Sequence, residues 1–126
     1  MEKQIQTHKD LVVWQKSIAL VTAIYKVTNT FPNSELFALT NQIRRCATSI
    51  PANIAEGSGR RTANELVQFL HIALGSATEL DTFLIIANNL NFIDADTFQQ
   101  LDNDLAEIRR MLIGLLNSLK NKTDKP

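Results

Sequence analysis

In residues 95–119, ADTFQQLDNDLAEIRRMLIGLLNSL, the side chains of Phe98, Leu101, Leu105, Ile108, Leu112, Leu115 and Leu119 are spaced by alternating threes and fours. Such spacing keeps all seven on one side of an α-helix, whereas a half-buried strand would repeat every second residue. A stripe this regular predicts a helix near 95–120 that packs at a shallow angle against helical neighbours. Asp94 is its N-cap, and the polar ending NKTDKP is expected to fray.

Upstream, Thr62-Ala-Asn-Glu65 is a capping box that opens a helix near 63–89, closed by Asn88-Asn89-Leu90-Asn91. This helix carries one stripe of Leu66, Leu70, Ala73, Ala77, Leu80, Leu84 and Ala87. Beside it runs a second, of Phe69, Ile72, Ser76, Phe83, Ile86 and Leu90. At about 100° per residue the two cover roughly 200° of the circumference, more than a surface helix needs to face one core. The surplus, with Met111, Ile113 and Leu116 outside the last stripe, calls for a further helix or another copy of the chain.

A first helix is expected near 11–29, with Leu11, Trp14, Ile18, Val21 and Tyr25 toward the core, ending before Phe31-Pro32. A second is expected near 34–57, capped by Asn33, with Leu36, Leu39, Ile43, Ala47, Ile50 and Ile54 inward and Gly57 and Gly59 ending it. Pro51 lies inside that pattern. It either kinks the helix by removing the amide that would serve Ala47, or sits in the first turn of a helix restarted after Ser49. The reading is all-α: one domain, residues 1–126, folded as an antiparallel up-and-down four-helix bundle with short loops, helix two kinked near Pro51, and frayed ends.

The chain of 126 residues balances 13 Lys and Arg against 13 Asp and Glu, with 44% apolar residues. That composition supports a packed core rather than disorder. One cysteine excludes a disulfide framework, and the uninterrupted apolar runs, such as Phe83 to Ala87, fall short of the roughly 18 residues of a bilayer span, so a soluble cytoplasmic protein is expected. The zero total hides polarity. Residues 1–61 hold eight Lys/Arg against four Asp/Glu, a net +4, and residues 62–126 hold five against nine, a net −4. Between 62 and 108 there are eight acids and no Lys or Arg. Such sectors can steer an anionic partner, or pair with each other within the fold or between copies.

No catalytic or metal set emerges. The only histidines are His8 and His71, neither in a Glu-x-x-His pair, so the di-iron site of helical bundles is excluded, and a lone cysteine cannot build a structural zinc site. Cys46 reads as a small buried thiol rather than a nucleophile. No enzyme, metal or cofactor is expected. The turn Gly57-Ser-Gly-Arg-Arg-Thr62 precedes a capped helix N-terminus, where amides and the helix dipole attract anions; as an ordinary turn it would simply leave Arg60 and Arg61 in solvent. Arg44-Arg45 and Arg109-Arg110 are adjacent in helices, so each pair diverges by about 100°. For these guanidiniums a phosphate contact competes with an internal ion pair to Glu56 or Glu79. Arg44, Arg45, Arg60, Arg61 and Lys16 are the candidate nucleic-acid contacts. Glu79, in the second stripe of its helix, needs a partner. Asn53 is assigned to backbone groups that Pro51 releases.

The strings Ala38-Leu-Thr-Asn-Gln-Ile-Arg-Arg45, Ser49-Ile-Pro-Ala-Asn-Ile-Ala-Glu-Gly-Ser-Gly-Arg60 and Phe69-Leu-His-Ile-Ala-Leu-Gly-Ser76, followed by Glu79-Leu80, span most of the chain. With them the chain resembles the four-helix-bundle proteins encoded within intervening sequences of bacterial 23S ribosomal RNA genes. That family also looks similar to the accessory protein of diversity-generating retroelements. The resemblance implies a ring-shaped homopentamer and, as a partner, structured RNA or DNA or a nucleic-acid enzyme such as a reverse transcriptase, with no membrane. It assigns a motif role to Arg44, Arg45, Asn53, Glu56, Gly57, Gly59, Arg60, Gly75 and Glu79.

Overall fold

A computed structural model describes residues 7–123, and every regular element among them is helical. Helix α1 spans Val12–Thr28, α2 spans Asn41–Ser58, α3 spans Ala63–Asn89 and α4 spans Ala95–Thr123. Each packs on the next, and α4 closes back on α1, giving a four-sided bundle. The predicted fraying of the two ends falls largely outside the described residues, and α4 continues to Thr123.

The core is the inner line of each helix. From α3 it takes Leu70, Ala73, Ala77, Leu80, Leu84 and Ala87, and from α4 Leu101, Leu105, Ile108, Leu112 and Leu116. Alanines at three of the six α3 positions let α2 and α4 approach closely. Leu116, outside the predicted stripe, is buried, while Leu115 is only partly covered.

Helix α1 turns a different face inward from the one its sequence suggested. The buried residues are Val13, Ser17, Leu20, Ile24 and Thr28, while Ile18 and Tyr25 remain 39% and 43% exposed. A serine and a threonine disguise this inner line as polar. Both hydroxyls are satisfied within the helix, Ser17 donating to the Trp14 carbonyl at 2.8 Å and Thr28 to that of Ile24 at 2.8 Å, so neither enters the core as an unpaired group.

Helix α2 also departs from expectation at its start. A 3₁₀ turn at Asn33–Glu35 leads into a π turn at Leu36–Thr40, within which Ala38 is non-helical (φ −123°, ψ −105°). The extra residue of a π turn shifts the register. Leu36, which an unbroken helix would keep in line with Ile43, is thereby carried outward and left 45% exposed, while Phe37, off that line in an unbroken helix as well, is 91% exposed. Asn33 makes no side-chain cap, since Pro32 precedes the first turn in the capping position. The alternative of a restart after Ser49 does not occur, since Pro51 is buried inside the continuous α2; a separate irregularity lies upstream at Ala38.

The connections follow local chemistry. Thr62 Oγ1 accepts the Glu65 amide at 3.2 Å and starts α3. At its other end the Phe92 amide bonds the Ala87 carbonyl at 2.9 Å, and Asn91 takes the left-handed conformation (φ 62°) that asparagine tolerates better than most residues. Asp94 then caps α4, accepting the Thr97 amide at 2.8 Å and the Thr97 hydroxyl at 2.9 Å.

The Thr97 amide bond, followed by the hydroxyl bond, holds the Asp94 carboxyl below the usual aspartate range. A carboxyl depressed in the folded state stabilises it above the unfolded pKa and loses that contribution as pH falls through the folded value. Asp94→Ala is therefore expected to lower the thermal midpoint at neutral pH, and the gap to the parent should close once acid protonates Asp94.

By length and composition alone α3 could cross a membrane, a property that counting uninterrupted apolar runs misses because Gly, Ser, Thr and Glu interrupt them. Its inner stripe packs against α2 and α4. Its second stripe does not find such cover: Ile72 is 49% exposed, Ile86 40% and Leu90 51%.

Candidate functional site

The basic candidates do not converge within one chain. Arg44 and Arg45 lie early in α2, whereas Arg60 and Arg61 follow its C-terminus; at about 1.5 Å per helical residue the two pairs stand roughly 20 Å apart along the bundle. Lys16 is on another side altogether, where its Nζ meets the Glu107 Oε1 of α4 at 2.9 Å.

Arg44 turns toward α1. Its Nε donates to Thr28 Oγ1 at 2.9 Å, and its guanidinium carbon stands 4.7 Å from the centre of the Tyr25 ring. Thr28 can accept this bond because its own proton is committed to the Ile24 carbonyl. Arg44 is half-buried there, and the bond at Nε leaves the outer nitrogens of its planar fork available.

Arg45, next in sequence, points to the opposite flank of α2. With Gln42, Cys46, Ser49, Ser76 and Glu79 it lines a shallow polar groove of about 170 Å³ between α2 and α3. The floor of this groove is tied by hydrogen bonds. Ser49 Oγ and Ser76 Oγ stand 2.7 Å apart, and Asn53 Nδ2 donates to the Ser49 carbonyl at 2.8 Å and to Ser49 Oγ at 2.9 Å. Asn53 thus serves Ser49, not the Ala47 carbonyl that Pro51 leaves without its amide, and it is Ser49 Oγ that joins α2 to the Ser76 hydroxyl of α3.

Glu79 stands at the rim of this groove and is exposed, its Oε2 accepting from the Cys46 thiol at 3.8 Å. Burial pushes the Cys46 thiol up from its ordinary value, and the adjacent Glu79 carboxylate pushes it further, against a smaller opposing effect of Arg45. A thiol held protonated is a poor nucleophile, which agrees with a packing role. Among the described residues Glu79 has no ion-pair partner.

At the other end, Arg60 pairs with Glu56 one turn back, and its guanidinium lies 4.8 Å from the centre of the Phe69 ring on α3. Both ion-pair partners are exposed, so this pair contributes little to stability, at most about 1 kcal/mol. Arg61 is exposed. Arg45 and Arg61 enter no ion pair or hydrogen bond among the described residues.

The two glycines of the turn do not adopt left-handed geometry: no glycine has positive φ among the described residues, and Gly59 closes α2 in right-handed geometry (φ −88°). Gly57 serves another purpose. A Cβ built there would stand 2.8 Å from the Phe69 Cβ and 3.0 Å from Leu66 Cδ1, so the absent side chain is what lets α2 and α3 touch. The N-terminus of α3 already has Thr62 on an amide and Glu65 in its first turn, which reduces its attraction for an added anion.

Sequence reasoning missed the partners that hold these arginines. Tyr25 and Phe69 read as apolar-face residues and Thr28 as an ordinary helix end, because an arginine stacked on an aromatic ring of another helix leaves no spacing to read. Among the described residues no cluster of histidine, cysteine and carboxylates could hold a metal ion.

The model of the 23S rRNA-intervening sequence protein family matches residues 9–114. Among solved structures, the chain is similar to a protein of unknown function from the S23 ribosomal protein family of Bacteroides thetaiotaomicron. The two share 29% identity with a TM-score of 0.78, over 84% of this chain and 96% of that one. No curated protein matches. Neither the family's description nor that neighbour's names a catalytic activity.

Proposed function

The chain belongs to the 23S rRNA-intervening sequence protein family, and from there we propose that it is a non-enzymatic, cytoplasmic homo-oligomer, a ring-shaped pentamer, whose exposed arginines hold the phosphate backbone of structured RNA or DNA. The observation that carries this reading is that Arg45 and Arg61 are free of ion pairs among the described residues and reachable from solvent, with Arg60 beside Arg61 held by a surface pair to Glu56 and by the Phe69 ring. Guanidinium forks suit phosphate oxygens, and bonds of this kind position a backbone without reading its sequence. Arg44 and Lys16, both engaged within the chain, contribute less. One chain offers few phosphate contacts, and a ring multiplies them through effective concentration.

Neutralising phosphates releases counterions, so affinity for an RNA hairpin should fall steeply between 50 and 200 mM salt. Arg60→Ala/Arg61→Ala should weaken binding and flatten that salt dependence, by roughly one counterion for each phosphate no longer held. Binding insensitive to salt, or unaltered in the double variant, would overturn the nucleic-acid reading. A second reading rests on the run from 62 to 108, with eight acids and no Lys or Arg: an adaptor whose α3 and α4 dock a basic nucleic-acid enzyme such as a reverse transcriptase. Co-purification that survives nuclease treatment would favour this adaptor.

A further inference from the structure

We propose that copies of this chain join through α1 of one and α3 of the next, with Arg44 of one copy paired to Glu79 of the partner subunit. This rests on the homo-oligomer reading above and adds the surface through which it forms.

Two helices present apolar seams that their own bundle leaves partly uncovered. On α1 and the residue before it, the seam is Leu11, Trp14, Ile18, Val21 and Tyr25; on α3 it is Ile72, Ser76, Glu79, Phe83, Ile86 and Leu90. Both repeat in threes and fours, the spacing with which one helix seats along another at a shallow angle. The seams flank α2 on its two sides. Arg44 of α2 lies over Tyr25 on one side, while Cys46 and Ser49 of α2 touch Glu79 and Ser76 on the other.

Charge selects which seam meets which. Arg44 lies over Tyr25 at the edge of the α1 seam, which carries no acid, whereas Lys16 is turned away to Glu107 of α4 and the α3 seam carries Glu79. Two α3 seams laid together would oppose Glu79 carboxylates, and two α1 seams would oppose Arg44 guanidiniums. The mixed pairing is attractive and excludes both.

Height selects the ion pair. Arg44 and Cys46 are two residues apart on α2, about 3 Å along its axis, and Cys46 touches Glu79. Arg44 and Glu79 therefore stand almost level on opposite flanks of α2. In a cyclic assembly, which has no axial step between copies, level groups on the two joining faces meet. Arg44 brings an outer guanidinium edge that its bond to Thr28 leaves available, and Glu79 brings a carboxylate with no ion-pair partner among the described residues. With α1 and α3 running the same way, Tyr25, beneath Arg44, then stands at the level of Glu79 of the partner subunit, and Ile18, seven residues earlier, at the level of Ile72 of the partner subunit.

The joint is heterologous, and its two faces lie on adjacent sides of a four-sided bundle. Copies joined in this way turn by somewhat under or about a right angle and close after roughly four or five, rather than extending as a filament. Helix α2, the edge shared by both faces, turns toward the axis, where the Arg45 side chains of all copies converge.

The test is the mass in solution, by sedimentation velocity, of the full chain and of R44E, E79R and R44E/E79R, each checked for helicity by circular dichroism. The wild type should be an oligomer, each single variant should assemble at least tenfold more weakly, and the double variant should recover assembly. Should R44E fail to fold, Glu79→Arg and Ile72→Glu, both at exposed positions, carry the test, and each should weaken assembly at least tenfold. A monomeric wild type would overturn the homo-oligomer reading together with this joint. An oligomeric wild type indifferent to these variants, or a folded double variant that fails to reassemble, would overturn the joint alone.

Discussion

Leu80→Ala should cost about 2–5 kcal/mol of stability, read as a lower urea midpoint at nearly constant slope. Leu80 is fully buried at the middle of α3, with α2 packed on one side of that helix and α4 on the other. Its removal leaves a cavity that Ala77, one turn before it on the same inner line, has little side chain to fill. The contrast is Ile72→Ala on the second seam of the same helix. At 49% exposure it should cost the isolated chain less than about 1 kcal/mol while weakening association between copies. Equal losses at the two positions, at concentrations where the chain is dissociated, would mean that the second seam is covered within the monomer.

Gly57→Ala should destabilise the fold by about 1–3 kcal/mol, although alanine favours a helix over glycine by roughly 0.5–1 kcal/mol. The added methyl would stand 2.8 Å from the Phe69 Cβ, an atom fixed to the α3 backbone that cannot swing away, so the helices must separate. Gly114 supplies the opposite case. Nothing lies within 4 Å of a Cβ placed there, and Gly114→Ala on α4 should stabilise by about 0.5–1 kcal/mol. Opposite signs in one urea series would establish that Gly57 is selected by the close approach of two helices; a stabilised Gly57→Ala would refute it.

Gly57 also shows what a sequence conceals. A glycine pair ahead of a helix cap reads as a turn that needs conformational freedom, yet neither residue uses it, and the decisive constraint comes from Phe69, distant in the sequence. Period, by contrast, is sufficient wherever one apolar line runs unbroken. The inner line of α3 and most of that of α4 can be read directly, because leucine, isoleucine and alanine repeat without interruption. Helix α1 misleads for the complementary reason. Its true inner line contains Ser17 and Thr28, whose hydroxyls bond to their own helix, so the seam through Trp14, Ile18 and Tyr25 is the more conspicuous of the two. That conspicuous seam is itself informative, since it means that α1, like α3, has more apolar surface than its bundle covers.

At the candidate site, residue types are legible in the sequence and arrangement is not. Glu79 stands out as a carboxylate in an apolar seam, where burial would demand a partner; the structure instead leaves it exposed to water in the single chain, with no ion-pair partner among the described residues. Lys16 cannot be separated from the arginines by sequence, since its attachment to Glu107 depends on α1 lying beside α4. The π turn at Leu36–Thr40 is equally hidden, for Leu36, Leu39 and Ile43 fit an uninterrupted helix, and only the added residue moves Leu36 outward.

The uncovered seams on α1 and α3 are the centre of this picture, and the mass of the unmodified chain at low micromolar concentration and moderate salt tests them most directly. Sedimentation equilibrium should give an integral multiple of 14.1 kDa that persists on dilution well below the working concentration. A single species of 14.1 kDa across that range would contradict it.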